Sequence, residues 1–339
     1  MSSPVLGVVR LSTPWQTLDP FLFCMHHLDD YPAGDALMRP VDGVAGRNIG
    51  SDFSGKDGWS MYHGQGVPGF PKHPHRGFET VTLARQGFID HSDSLGATAR
   101  FGHGDVQWMT AGKGIVHAEM FPLVNRDARN PTELFQLWLN LPAEDKVVEP
   151  YFTMLWGPTI PRKVVRDAGG GETEIVVIAG ELLGLKPPPP PPNSWASREE
   201  AAIGIWTLKL SPGARWTLPA GPEGVTRVAY VFAGETVSMA GHEVAAGHGA
   251  QLDPTADVEL VAGAEAIEIL VLQGRPIGEP VAKHGPFVMN TTAEVKQAYA
   301  DYRATGFGGW PWDEAGPTHA AEDEAFAVHA DGRKEERPA

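Results

Sequence analysis

The sequence predicts an all-β protein of two barrel or sandwich domains. Three observations carry that prediction: short apolar or alternating runs cut by turn residues, abundant glycine and proline, and a length suited to two cores. Gly (40) and Pro (30) suit many short strands joined by tight turns better than long helices, and 339 residues allow a sizeable core in each domain. Runs such as GFETVTLARQGFID and GDVQWMTAGKG are rich in β-branched and aromatic residues and are bounded by glycine. Their spacing argues against alternating strand–helix units.

A first domain is expected over residues 15–145, with a Gly-rich insertion at 38–71 placed to act as a lid. Residues 146–165 read as a linker, because Pro142, Pro150, Pro158 and Pro161 bar regular structure from running across this stretch. A second domain is expected over 166–310, with strands at EIVVIAG, IGIWTLKL, TRVAYVFAG and AIEILVLQG. Between the first two of these lies the hexaproline Pro187 to Pro192, which has no backbone donors and reads as a stiff exposed loop. One helix is expected at 292–305, capped by Thr292, closed by Gly306, with Val295, Ala298, Tyr299 and Tyr302 on its apolar face. The polar, acidic tail 311–339 is expected to be disordered and removable.

The net charge of −15 repels phosphate backbones, which excludes direct nucleic-acid binding from the leading functions. No run approaches the ~18 apolar residues of a membrane span. The single Cys24 cannot close an intramolecular disulfide, and the N-terminal residues lack the basic and apolar regions of a secretory signal, so a cytoplasmic protein is expected.

The chemistry concentrates in two short segments. In HPHRGFET, His73 and His75 are two apart and project from one side of an extended strand, with Pro74 placing the pair near an edge or mouth. In GDVQWMTAGKGIVHAEM, His117 and Glu119 repeat that spacing after a Gly-rich turn that lets the chain reverse onto a facing strand. Three imidazoles and one carboxylate form a mixed nitrogen and oxygen set that suits iron, copper, nickel, manganese or zinc. A lone HxH among 13 histidines would say little, and the weight comes from both pairs falling on strands of one barrel.

The run from HPHRGFETVT through GDVQWMTAGKGIVHAEMFP resembles the pirin signature, and GRPIGEPVAKHGPFVMNT resembles the C-terminal segment of that family. The resemblance covers about residues 19–307 and implies two cupin barrels, of the jelly-roll or double-stranded β-helix kind, packed face to face with metal in the first only. It maps the ligands to His73, His75, His117 and Glu119. Glu79, which many cupins would use as a ligand, is then expected to orient a ligand or a bound water, and His91 and His103 are expected nearby. Phe53, Trp59, Phe78, Trp108 and Met109 are candidates to line an apolar pocket, with core packing the competing expectation. The second barrel lacks any HxH or HxE pair and reads as structural or as a binding surface.

Four protein ligands on a six-coordinate ion leave room for water, O2 or a chelating substrate, and one divalent metal, most of all Fe(II), fits that use. The resemblance implies quercetin 2,3-dioxygenase-like activity on a small aromatic substrate with O2, giving a ring-opened ester and carbon monoxide. Glu119 would then serve as ligand and as base for the 3-hydroxyl. The alternative that the resemblance leaves open is a redox- or metal-dependent interaction protein acting through a protein partner.

Overall fold

The computed structural model describes residues 3–339 and shows a β-rich chain with one α-helix, Thr292–Thr305. None of its helices is long and apolar enough to cross a membrane. The chain forms two compact units, and their composition departs from the expected division. One unit comprises the chain up to Cys24 together with Pro158–Gly278, and the other comprises Met25–Gly157 together with Glu279–Ala339.

The first of these units is built on a seven-stranded antiparallel sheet and a four-stranded sheet. The larger runs in the order Val5–Arg10, His248–Leu252, Thr226–Ala233, Ile267–Gly274, Gly204–Leu210, Glu172–Ala179, Arg162–Arg166. The smaller runs Arg215–Leu218, Val258–Ala262, Thr236–Met239, His242–Ala245. Alternating side chains such as Trp206, Leu208 and Leu210 bury between them with Ile267, Ile269 and Val271. The hexaproline lies in the connection between Glu172–Ala179 and Gly204–Leu210, as an insertion within this barrel.

The second unit carries both candidate ligand motifs, at His73 and His75 and at His117 and Glu119. Its five-stranded sheet runs Tyr151–Leu155, Asp105–Thr110, Phe78–Gln86, Asn130–Asn140, Phe21–Tyr31, and the chain passes from one unit to the other within the last of these. Its six-stranded sheet runs Lys334–Glu336, Phe326–Val328, Thr98–Gly102, Phe88–Asp93, Ile115–Met120, Gly69–His75. Every residue of Asp105–Thr110 and Ile115–Met120 is buried, so these strands sit at the centre of the barrel.

Four expectations are corrected here. The expected linker is largely structured: Tyr151–Leu155 pairs with Asp105–Thr110 and Arg162–Arg166 pairs with Glu172–Ala179, with the prolines falling between strands instead of preventing them. The helix packs on the metal-motif barrel, not on the second one. Its Ala298 clusters with Val116, Phe287 and Phe307, and its cap is Thr291, one residue before the expected Thr292, in a reciprocal capping box with Glu294. The 38–71 insertion is a pinned cover. Arg47 donates to Asp52 (2.9 Å) and to the Trp59 carbonyl (2.8 Å), lies 3.5 Å over the Trp59 ring, and helps hold Trp59, Met61 and Tyr62 in the barrel core.

The fourth correction is the tail, which is ordered. Phe326–Val328 extends the sheet by pairing with Thr98–Gly102, and Lys72 donates to the Ala315 carbonyl (2.7 Å) beside the first ligand motif. The anchor is Arg100, which is wholly buried with Asp90: its Nε donates to Asp90 Oδ1 (2.7 Å), and the rest of its fork donates to Asp90 and to the carbonyls of His319, Ala320 and Asp323. Low apolar content suggested disorder because composition does not register carbonyls recruited by a buried guanidinium. Deleting the chain after Trp312 is therefore expected to lower the melting temperature markedly. Arg100→Met, which strands a buried carboxylate, is expected to cost ~3–5 kcal/mol in urea denaturation.

Candidate metal centre

The register of three strands puts the chemistry on one face. His73 lies opposite His117, and His117 and Glu119 lie opposite Asp93 and His91. Odd-numbered residues of Phe88–Asp93 and Ile115–Met120 thus point together into the barrel. A bulge between Phe70 and His73 adds a residue to the Gly69–His75 strand, so both Phe70 and His73 reach this face.

The imidazoles of His73, His75 and His117 converge, with potential donor atoms within 4.8 Å of one another and ring centroids 4.5–4.9 Å apart. Among the described residues no other group of three or more histidines, cysteines and carboxylates meets this way. His73 is fixed by a 2.9 Å contact between Nδ1 and the Pro71 carbonyl, which leaves Nε2 to face its neighbours. Burial pushes the His73 imidazole down to about 4, and burial first, then the neighbouring imidazoles, holds His75 and His117 well below the usual histidine range. All three are neutral donors at neutral pH. His117 is wholly buried, and neither of its ring nitrogens has a hydrogen-bond partner in the protein. Such a group costs ~1–3 kcal/mol if left unsatisfied, and a divalent ion facing the three rings would relieve it at one of the two nitrogens.

Glu119 stands at the edge of this trio, with Oε2 3.8 Å from His117 Nε2. Its carboxylate is held on the other side by Thr82 Oγ1 (3.0 Å) and Gln136 Nε2 (3.0 Å). Burial raises its carboxyl above the ordinary range, while the nearby His91 and these two hydrogen bonds pull it back. The residues present suit a metal with three nitrogen ligands and one carboxylate oxygen.

The remaining expected site residues divide. His91, wholly buried, has its ring 5.5 Å from that of His117 and its Nε2 3.2 Å from Asp93 Oδ2. Phe78 lies 5.1 Å from His75. The others are placed away from the centre. Glu79 accepts a 2.6 Å hydrogen bond from Thr110 on the face of its strand opposite Thr82, because three residues of strand reverse the side-chain direction. Trp108 is directed away by the same alternation, being paired with Val81. His103 occupies an exposed left-handed turn (φ 51°) against Phe88, and Trp59 is sequestered by Arg47 and Tyr31. Met109 differs from these, since it pairs with Thr80 in the cross-strand row that holds Trp138 and packs in the barrel core on that interior face. Phe53 is 57% exposed on the cover, with its ring against Tyr62, His63 and Phe70 rather than against His73, His75 or His117.

Sequence reading missed Thr82, Gln136, Trp138 and Asp93. Trp138, half-buried, stands 5.5 Å from His75 and 4.3 Å from Phe78, forming an aromatic wall beside the trio. One signal was present: in NPTELFQLWLN only Pro131, Gln136 and Trp138 escape full burial, and polar Gln136 interrupts an otherwise apolar run at the spacing of one face.

Residues 10–139 match the family described as Pirin, and residues 205–308 match the family described as Pirin C-terminal cupin domain. Pirin from Homo sapiens is 37% identical over 240 residues, 69% of this chain and 76% of its own length. A Pseudomonas aeruginosa protein named putative quercetin 2,3-dioxygenase is 38% identical over 235 residues, 69% of this chain and 77% of its own length. A crystal structure of quercetin 2,3-dioxygenase from Acinetobacter baumannii superposes with a TM-score of 0.70 at 28% identity, covering 90% of this chain and 98% of the other.

Two outcomes are expected. His117→Ala should lose stoichiometric metal in elemental analysis while His242→Ala, exposed in the other unit, retains it. In the metal-free chain, His27 and His73 titrate near 4 when folded against 6.5 when unfolded, so the unfolded chain binds protons first as pH falls. Stability should therefore drop from about pH 6.5 towards 4, and thermal melts across that window measure it.

Proposed function

Because the chain belongs to the pirin family, we propose that it is a mononuclear metal oxygenase, iron-dependent, that opens flavonol-type aromatic substrates with O2. The observation that carries this reading is the convergence of three neutral, buried imidazoles with a tethered carboxylate beside an aromatic wall. The names carried by the Pseudomonas and Acinetobacter proteins support the substrate class.

Bound iron would supply Lewis acidity and one-electron chemistry towards O2 at the three imidazoles and Glu119. The chain's own residues do the rest. His73 is the least buried of the three histidines, so the approach for a substrate lies on its side. Trp138 and Phe78 offer flat apolar surface next to His75, suited to a planar polycyclic ligand. Glu119, its carboxyl raised by burial, is suited to take the proton from an enolic hydroxyl. Thr82 and Gln136 keep its oxygens aimed while it does so.

The test incubates the iron-loaded chain with quercetin and O2 and measures substrate loss and carbon monoxide. Turnover above a free-iron control is expected, and none would refute the enzymatic reading. Glu119→Gln is expected to lower turnover per bound iron by at least ~10²-fold. Trp138→Ala is expected to raise KM more than it lowers kcat, as loss of a binding wall should.

A further inference from the structure

Among the buried polar atoms of the metal-motif barrel left without protein partners are His91 Nδ1, the two nitrogens of His117, and both amide atoms of Gln107. These residues are 0%, 0% and 1% exposed. Gln107 lies in the cross-strand row Gln107, Thr82, Gln136, whose other two members hold Glu119, and Glu119 is in turn the cross-strand neighbour of His91. All of them open on one interior.

The protonation pattern follows from the partners. Asp93 Oδ1 accepts from the amides of Leu95 (2.8 Å) and Ala97 (3.1 Å), and its Oδ2 lies 3.2 Å from His91 Nε2. A carboxylate accepts, so His91 Nε2 carries the hydrogen and Nδ1 is a bare acceptor. His117 Nε2 is the nitrogen that faces Glu119, so when it ligates a metal the ring hydrogen sits on Nδ1. A lone buried donor and a lone buried acceptor thus belong to rings 5.5 Å apart and tilted by 55°, with no direct hydrogen bond between them.

We propose that an internal water site lies between His91, His117 and Gln107, and that through it His91 acts as the positioning residue for the ligand His117. The water accepts from His117 Nδ1, donates to His91 Nδ1 and donates again to Gln107 Oε1, which satisfies the two to four partners a buried water requires. Asp93 then sets the tautomer of His91, and through the water the orientation of His117, from a carboxylate anchored on two backbone amides.

This inference rests on the reading of His117 as a metal ligand, and the test separates the two. In a high-resolution structure of the nickel-loaded full chain, water density is expected about 2.8–3.0 Å from both Nδ1 atoms; an empty or side-chain-filled space there overturns the proposal. His91→Phe should lose that density and weaken nickel binding about 10–100-fold with the fold retained. Asp93→Asn keeps the acceptor for Leu95 and Ala97 but turns a donor towards His91, reversing its tautomer. It should weaken nickel similarly and shift the absorption of the cobalt-substituted protein, whereas His91→Gln should recover part of the affinity. Parent-like nickel affinity in both His91→Phe and Asp93→Asn overturns the positioning role. Failure of the parent chain to bind nickel would instead sink the metal reading, while density in metal-free crystals still decides whether the water is there.

Discussion

The cross-strand register of Gly69–His75, Ile115–Met120 and Phe88–Asp93 is the constraint on which the site depends. It sets His117 between His73 on one side and Asp93 on the other, and Glu119 against His91. Since side chains alternate, a slip of one residue in any of the three strands would turn its share of these groups out of the barrel. The bulge after Phe70 is part of the same constraint, because it lets an aromatic ring and a ligand imidazole from one strand share a face.

Burial does two jobs at this centre. It keeps the imidazoles unprotonated, so that their nitrogens are available to a metal at neutral pH, and it leaves His117 with polar atoms that the protein does not satisfy. Both raise the free energy of the metal-free barrel. A barrel that tolerates them needs stability from elsewhere, and its shell is correspondingly well tied: Arg47 clamps the cover, Lys146 spans the Gly77 carbonyl and Asn140, and Arg100 gathers the C-terminal strap. These buried cations are surrounded by carbonyls and carboxylates, the arrangement that offsets their desolvation.

Much of the site was legible in the chain itself. Two pairs at i, i+2 spacing point to two strands with candidate ligands, and strand geometry alone then makes each pair face one way. The same spacing would also group Glu79 with His75, but a turn at Gly77 (φ 83°) separates their strands and resets the alternation. Where the backbone turns, counting by twos no longer carries across.

The sequence by itself determined the all-β class, the one helix and the three converging histidines, because periodicity, turn residues and residue spacing are local properties that survive any packing. Tertiary structure decided which strands share a barrel, sending Val5–Arg10 into one unit and the C-terminal helix and strap into the other. It also decided that Thr82 and Gln136, rather than Glu79, would hold Glu119. Those outcomes depend on pairings between residues tens to hundreds of positions apart, and on hydrogen bonds from buried side chains to distant carbonyls, for which a single chain read in order carries no signal.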